Sequence, residues 1–103
     1  MAAGAHRTVR VVAAVSSAFV YLLRCRDGSL YCGWTNDVPR RVEEHRAGRA
    51  SRYTRSRLPL DLVWSKEMDS RSQAMREEVR IKALPRAQKL LLVDAAAAAP
   101  RRP

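Results

Sequence analysis

The sequence predicts an α+β domain in which a few strands and helices share one small core. Three observations predict this class: two apolar runs joined by a tight-turn signal, helices with recognisable caps, and a further strand between those helices. At 103 residues the chain has the length of one domain, and alanines at both ends inflate its apolar fraction of 47%. We therefore expect a modest core.

The predicted domain covers residues 18–94. Residues 1–17 are predicted to form a flexible N-terminal extension, and residues 95–103, rich in alanine and proline, a flexible C-terminal tail. The N-terminal segment faintly resembles a signal peptide, but its apolar run continues directly into the first strand, which favours an extension. No apolar run reaches the length of a membrane span, so no membrane association is expected.

The first two strands are predicted to form a hairpin from Ala18–Cys25 and Ser29–Trp34. The segment Arg26-Asp27-Gly28 between them suits a three-residue loop, in which a type I turn precedes a left-handed glycine. In that register Tyr21 and Tyr31 point to the same face of the sheet. A two-residue Asp-Gly turn would instead put the two tyrosines on opposite faces, so the turn type decides whether they can share a site.

A helix is predicted after this hairpin. Asn36 or Asp37 can cap its start, and Gly48 ends it. Arg41 and His45 are four residues apart and therefore share one helical face. A guanidinium and an imidazole can thus point towards the same place.

The middle of the chain is predicted to change from irregular structure to a strand. Residues 49–59 are basic and predicted to be irregular, and Leu60–Met68 is predicted to be the third strand. Alternation along this strand predicts Leu62 and Trp64 on one side and Val63 on the other. Beyond it, Ser70 with Gln73 forms a capping-box pattern that opens a helix over residues 71–83, and a short helix is predicted from residue 85.

The helix over residues 71–83 carries a carboxylate on its apolar stripe. Ala74 and Ile81 are seven apart and define the stripe, and Glu78 lies on it, whereas Glu77 is expected to project towards solvent. A carboxylate on an inward face is costly unless it has a cation partner. That partner is either a metal ion or an arginine such as Arg41.

The basic excess of the chain is mostly arginine. The net charge is +10, and residues 18–94 hold 16 basic and 10 acidic side chains. Guanidinium groups match phosphate oxygens bidentately, and interleaved aromatic rings can stack on bases. We therefore predict a nucleic-acid-binding surface made of Arg40, Arg46, Arg49, Arg52, Tyr53 and Arg55. The alternative is solubility, or attraction to any anionic surface, including lipid.

The cysteines predict a reducing compartment. Cys25 and Cys32 point to opposite faces of the predicted hairpin, so we expect no disulfide and a cytoplasmic location. A structural zinc site is not expected, because these two cysteines, His6 and His45 lack ligand spacing.

The chain resembles a known family, the GIY-YIG nuclease domain, in its small single-domain branch. The motifs that carry the resemblance are Val20-Tyr21, Tyr31-Cys32-Gly33, Asn36, Arg41 and the helix of Glu78. The resemblance spans residues 20–93. The chain departs from the family at Phe19 and Val20, which replace glycine and isoleucine, and at Trp34, where some members carry a lysine.

The resemblance implies a three-stranded antiparallel sheet flanked by helices, and hydrolysis of phosphodiester bonds in DNA with Mg²⁺ or Mn²⁺. It implies that Tyr21 lies near the attacking water or acts as the base, with Tyr31 in support. Arg41 would contact the scissile phosphate, His45 would be an auxiliary proton or phosphate contact, and Glu78 would hold the metal. One carboxylate is enough for Mg²⁺, which keeps several of its waters.

The predicted function is therefore that of a metal-dependent endonuclease acting on DNA, in repair or in the processing of DNA structures. One alternative is a non-catalytic nucleic-acid-binding module of the same fold. Another is a protein-interaction domain whose arginines serve an acidic partner. In either case, a separate protein partner for targeting is compatible with so small a domain.

Overall fold

A sheet of three strands organises the fold of the computed structural model, which describes residues 17–98. The elements are β1 (Ala18–Cys25), β2 (Leu30–Thr35), α1 (Val38–Arg46), α2 (Arg52–Arg55), β3 (Leu60–Met68), α3 (Arg71–Lys82) and α4 (Arg86–Ala98). The predicted flexible extension falls almost entirely on residues 1–16, and the end of the predicted tail on residues 99–103. Both segments lie outside the described residues.

The sheet confirms the predicted α+β class. Its order is β2-β1-β3, and both pairings are antiparallel. In the hairpin, Tyr21 pairs with Gly33 and Leu23 with Tyr31. Gly28 has a φ of +85°, as a left-handed turn residue requires. The predicted three-residue turn is therefore confirmed, and Tyr21 and Tyr31 share one face.

A bulge in β3 corrects the predicted alternation of that strand. Leu23 pairs with Leu62, but the preceding Leu22 pairs with Trp64, so Val63 is the extra residue. Trp64 and Val63 consequently both pack on the same core cluster, and Trp64 lies on the face opposite to Leu62. The predicted sharing of one face by Leu62 and Trp64 is wrong, because strict alternation does not survive a bulge.

The sheet is covered on both faces. Helices α3 and α4 pack on the face of the even-numbered β1 residues, where the buried cluster consists of Ala18, Val20, Leu22, Cys32, Ala74, Ile81 and Val93. Helix α1 packs on the other face, where the buried cluster consists of Tyr21, Leu23, Val42 and Leu60. The tyrosines are thus on the α1 face, and the helix of Glu78 is on the opposite face.

Side-chain caps fix where the helices begin. Asp37 caps α1 by accepting a hydrogen bond from the Arg40 amide, and Ser70 caps α3 in the same way. Ser51 caps α2, a four-residue helix inside the segment that was predicted to be irregular. That prediction is wrong because a serine cap three residues before Thr54 was not recognised as a helix start.

The end of the described chain is more helical than predicted. Helix α4 runs to Ala98, four residues beyond the predicted domain end at residue 94. Cys25 and Cys32 are both buried and unpaired, as predicted. Within residues 17–98, no helix is long and apolar enough to cross a membrane.

Candidate active site

A chain of buried hydrogen bonds links β1 to α1 and α2. The Tyr21 hydroxyl lies 2.9 Å from His45 Nε2, and His45 Nδ1 lies 2.8 Å from Thr54 Oγ1. Thr54 Oγ1 in turn lies 2.9 Å from the hydroxyl of Ser51, the α2 cap. Tyr21, His45 and Thr54 are all essentially inaccessible to solvent. Thr54 reaches the imidazole because the short helix α2 carries it there.

Burial decides the protonation of this chain. Burial raises the pKa of Tyr21 to about 12, although the neighbouring Arg41 guanidinium opposes the rise. Burial also lowers the pKa of His45 to about 4, and the positive charge of Arg41 lowers it further. At neutral pH the phenol is therefore protonated and the imidazole neutral. The Thr54 hydroxyl donates to the Ser51 carbonyl oxygen at 3.4 Å, which leaves it to accept a proton from His45 Nδ1. Nε2 then accepts the phenol hydrogen.

The buried His45 predicts a loss of stability in mild acid. In the unfolded chain His45 takes up a proton near its ordinary pKa of 6.5, but in the folded chain it does so only near 4. The unfolded state binds more protons between these values, so the free energy of unfolding falls as the pH falls from 6.5 to 4. The expected loss is about 2–3 kcal/mol.

Urea unfolding of wild type and His45→Gln at pH 7 and pH 4.5 measures this contribution. The variant should lose less stability than wild type over the same interval, since other titrating groups are common to both. An equal loss in the two proteins would contradict a depressed His45 pKa.

Thr54 orients the imidazole and predicts a measurable tautomer effect. In Thr54→Val the Nδ1–H group loses its buried acceptor, which costs about 1–3 kcal/mol of stability. Long-range ¹H–¹⁵N spectra of the His45 ring should then show a mixture of tautomers. Thr54→Ser keeps the hydroxyl and should retain the Nδ1–H form. A pure Nδ1–H ring in Thr54→Val would show that Thr54 does not select the tautomer.

Tyr31 lies at the open side of the same cluster. Its ring centroid is 6.5 Å from that of Tyr21 and 5.1 Å from that of His45. Tyr53 stacks beside Tyr31 at 6.0 Å, and the Arg57 guanidinium lies 3.8 Å above the Tyr53 ring. Tyr31 is half-buried, and within residues 17–98 its hydroxyl makes no hydrogen bond. Its phenol is thus open to a ligand, whereas that of Tyr21 is enclosed.

Gly33 makes room for the Tyr21 ring. A Cβ atom added at Gly33 would lie 2.5 Å from the Tyr21 hydroxyl oxygen and 2.7 Å from its Cζ atom. Gly33→Ala should therefore displace the ring from His45 and destabilise the fold by about 1–3 kcal/mol. The missing hydrogen bond should raise the mobility of the His45 ring in NMR spectra.

Gly28→Ala is the matched control for Gly33→Ala. Gly28 needs its left-handed φ, so alanine there costs about 1–2 kcal/mol. No atom lies within 4 Å of a Cβ at Gly28, so the His45 signals should stay unchanged. Unchanged His45 signals in Gly33→Ala would contradict the proposed steric role of Gly33.

Arg41 supplies the positive charge of the site. Its Nη1 donates to Glu44 Oε1 at 3.0 Å, and this carboxylate raises the pKa of the guanidinium. Arg41 also lies close enough to Tyr21 to act on the phenol pKa. The half-exposed ion pair is weak, so an anion in the cleft can compete for Arg41.

Glu78 approaches from the other face of the sheet and is paired with a lysine. Lys82 Nζ lies 3.4 Å from Glu78 Oε2, so the nearby cation is Lys82 and not Arg41. The expectation that Glu77 projects into solvent is wrong: its side chain is 16% exposed, against 20% for Glu78. Glu77 folds back to form a two-pronged ion pair with Arg80.

Tyr21 and Glu78 flank the same point of the edge strand β2. The Cys32 thiol donates to the Glu78 carbonyl oxygen at 3.9 Å, and the next residue, Gly33, lies under the Tyr21 hydroxyl. No contact joins the Glu78 carboxylate to the tyrosines among the described residues, but its charge contributes to the raised pKa of Tyr21. Because β2 is an edge strand, side chains from both faces can meet beyond it.

The structure thus brings three of the five predicted catalytic residues into contact, Tyr21, Tyr31 and His45, and Arg41 lies near them. Glu78 lies across β2. Within residues 17–98, no three His, Cys, Asp or Glu side chains cluster as a metal site. A partly exposed single carboxylate still fits a Mg²⁺ ion that keeps most of its waters.

The predicted nucleic-acid-binding residues are all exposed. They are Arg40, Arg46, Arg49, Arg52, Tyr53 and Arg55. Arg46 forms an ion pair with Glu43 at 3.2 Å. Tyr53 already has Tyr31 on one side and Arg57 over its ring, which leaves little of its ring face for a base.

Comparison with known proteins connects this geometry to a family. The model of the GIY-YIG catalytic domain matches residues 17–90. The chain belongs to the GIY-YIG family. This GIY-YIG domain is 47% identical over 76 residues to a UPF0213 protein of Oceanobacillus iheyensis, covering 74% of this chain and 88% of that one. It is 54% identical over 70 residues to a UPF0213 protein of Halobacterium salinarum, covering 68% and 91%.

Solved structures agree with the fold of this GIY-YIG domain. The solution NMR structure of a UPF0213 protein from Bacillus halodurans has a TM-score of 0.51 at 43% identity, covering 77% of this chain and 84% of that one. The solution NMR structure of a protein from E. faecalis has a TM-score of 0.55 at 31% identity, covering 84% and 93%. Family membership indicates a nuclease-like function and interaction with nucleic acid in general.

Sequence reasoning missed two contacts near the candidate site. Thr54 was read as part of an irregular basic stretch, although Ser51 three residues earlier is a cap signal. Arg71 was read only as a helix start, although its guanidinium lies 5.7 Å from the ring of Trp34. No local sequence signal brings residues 34 and 71 together.

Proposed function

We propose that this protein is a metal-dependent endonuclease that hydrolyses phosphodiester bonds in DNA, in repair or in the processing of DNA structures. The observation that carries the proposal is the buried chain from Tyr21 through His45 to Thr54, with Arg41 beside it at the edge of the sheet. A fully satisfied polar chain inside so small a core is costly to build, which favours a role beyond packing.

The Tyr21–His45 pair is suited to moving a proton. A phenol with a pKa of about 12 cannot act as a base in its resting protonated state. It can take a proton from water only while passing its own proton to another base, and His45 Nε2 is the acceptor within hydrogen-bond distance. Thr54 holds the ring in the form that leaves Nε2 free to accept. Tyr31 is positioned to orient the water from the open side.

Arg41 is the proposed phosphate clamp. The substrate phosphate would draw its guanidinium away from Glu44, since a phosphate in the cleft offers two oxygens to one planar fork. The same fixed positive charge would stabilise the charge that develops on the phosphorus oxygens.

Glu78 is the proposed holder of Mg²⁺ or Mn²⁺. When bound, such an ion polarises the phosphoryl oxygen and lowers the pKa of a coordinated water. Lys82 would have to release the carboxylate, and a surface ion pair of this kind contributes only about 0–1 kcal/mol. Glu78 could therefore change partner at little cost.

A second candidate is a nucleic-acid-binding module that does not cleave. Two observations favour it: Tyr21 is only 1% exposed, and the pKa of His45 is lowered to about 4. In that case Arg41 and the exposed arginines would bind phosphates, and the buried chain would only rigidify the core. Both candidates share the basic surface and differ in whether a bond is broken.

A nicking assay on supercoiled plasmid tests the proposal. Wild type is incubated at low salt with Mg²⁺, with Mn²⁺ or with EDTA, and binding to labelled DNA is measured in parallel over a range of salt concentrations. Nicking that needs the metal supports the endonuclease. Salt-sensitive binding without nicking supports the module. Neither binding nor nicking would indicate a domain for an acidic protein partner.

A further inference from the structure

A cleft of about 350 Å³ lies beyond the end of β2, where the two faces of the sheet meet. It is lined by Trp34, Thr35, Asn36, Arg40, Arg41, Glu44 and Arg71. Arg40, Arg41 and Glu44 come from α1 on one face, and Arg71 comes from the first turn of α3 on the other. Apart from Arg41, none of these residues belongs to the proposed catalytic set. Its volume is in the range of small-ligand sites.

The cleft carries positive charge that is not neutralised inside it. Arg41 is paired with Glu44, but Arg40 and Arg71 have no carboxylate within 4 Å among the described residues. Two guanidinium groups on opposite walls therefore face one opening. Such an arrangement favours an anion with several oxygens, since each fork can take two of them.

An aromatic surface adjoins these charges. The indole of Trp34 is half-buried against the core cluster of α3, and Arg71 lies 5.7 Å from its ring centroid. Asn36 is exposed at the rim, and among the described residues its amide makes no hydrogen bond. An amide both donates and accepts, so it can match the edge of a planar heterocycle. The cleft thus combines an aromatic ring, a polar edge and two guanidinium groups that have no carboxylate partner among the described residues.

We infer that this cleft is a nucleotide subsite, in which Trp34 contacts the base and Arg71 with Arg40 binds the adjoining phosphate. The inference rests on the proposed function, because the subsite would hold the nucleotide next to the scissile phosphate that Arg41 binds. An acidic peptide would satisfy the arginines but would leave the indole unused. A nucleotide uses both, because its phosphate pairs with guanidinium groups and its base packs on an aromatic ring.

The test is a titration followed by NMR in metal-free buffer with EDTA. The chain has two tryptophans, Trp34 and Trp64, hence two indole N–H signals, and Trp64→Phe assigns them. Thymidine 5′-monophosphate is added to the ¹⁵N-labelled full-length protein, with thymidine and inorganic phosphate as separate probes. We expect the monophosphate to shift the Trp34 signal and leave that of Trp64 in place.

Arg71→Ala is compared with Arg76→Ala. Arg76 is exposed on the same helix, carries the same charge and makes no ion pair among the described residues. Arg71→Ala should weaken monophosphate binding about tenfold, as expected for one lost charge-assisted contact, and Arg76→Ala less than about twofold. Thymidine and inorganic phosphate should each bind at least about tenfold more weakly than the monophosphate.

Three outcomes would overturn the subsite. The first is an unmoved Trp34 signal. The second is equal weakening by the two arginine variants, which would indicate diffuse electrostatics. The third is inorganic phosphate binding as tightly as the monophosphate, which would indicate an anion site without base contact. Because Arg71 is exposed, its substitution should leave the melting temperature unchanged, and circular dichroism checks that.

This test is separable from the nicking assay. Nucleotide binding that depends on Arg71, in a protein that does not nick DNA, would retain the subsite and reject the endonuclease. Nicking by a protein whose Trp34 signal never moves would retain the endonuclease and reject the subsite.

Discussion

Tyr21→Phe is expected to lower the rate of plasmid nicking by about 10²–10⁴-fold, the usual contribution of a positioned proton-transfer group. The substitution keeps the ring over Gly33 and removes the hydroxyl that lies 2.9 Å from His45 Nε2. DNA binding should be retained, because the exposed arginines are untouched. The measurement is nicking of supercoiled plasmid with Mn²⁺, beside binding by fluorescence anisotropy.

Tyr53→Phe is the matched control for Tyr21→Phe. Tyr53 is 38% exposed, and its ring contacts with Tyr31 and Arg57 do not depend on its hydroxyl. The nicking rate of Tyr53→Phe should stay within about threefold of the wild-type rate. Tyr21→Phe also leaves His45 Nε2 without its partner, which costs about 1–3 kcal/mol, so both variants are assayed well below their melting temperatures. Nicking by Tyr21→Phe at the wild-type rate would reduce Tyr21 to a structural residue.

Glu78→Gln is expected to abolish the metal-dependent part of nicking, with a loss of at least about 100-fold at saturating DNA. The amide has the shape of the carboxylate but not the charge that would hold a divalent ion. Paramagnetic broadening of nearby amide signals by Mn²⁺ should disappear together with activity. Stability should change little, because Lys82 is half exposed and an ion pair of this kind contributes only about 0–1 kcal/mol.

Glu77→Gln is the matched control for Glu78→Gln. Glu77 is the adjacent residue, its side chain is equally shielded, and it is also paired with a cation one turn along the helix. A role in general electrostatics would be shared by both glutamates, whereas metal binding would be specific to Glu78. We expect Glu77→Gln to nick within about threefold of wild type. Equal losses in the two variants would contradict Glu78 as the metal holder.

The hairpin and the helix caps could be predicted from local sequence. Gly28 after Arg26-Asp27 indicated the three-residue turn, and that turn set the register that puts Tyr21 and Tyr31 on one face. Asp37 and Ser70 marked helix starts that the structure shows. Such features depend on backbone preferences within a few residues, so they can be predicted from local sequence.

Long-range features were not predictable in the same way. The bulge at Val63 depends on how β3 pairs with β1, and the burial of Thr54 depends on α2 folding under α1. An arginine was one of the two predicted partners of Glu78, and in the structure the nearby cation is Lys82 on the same helix. The side chain of Glu77 folds back to Arg80. The bulge and the burial of Thr54 depend on tertiary packing. The ion pairs of Glu77 and Glu78 are local, at i,i+3 and i,i+4, but the sequence offers each glutamate several cations at such spacings.

By itself, the sequence determined the α+β class, the arginine-rich charge and the hairpin register that puts Tyr21 and Tyr31 on one face, because turn chemistry, periodicity and composition are local properties. Only the tertiary structure decided which tyrosine is enclosed, which group orients His45, and that Glu78 meets β2 from the face opposite to Tyr21. The physical reason is that burial and proximity arise from packing across the sheet, where residues far apart in the chain set each other's solvation, protonation and partners.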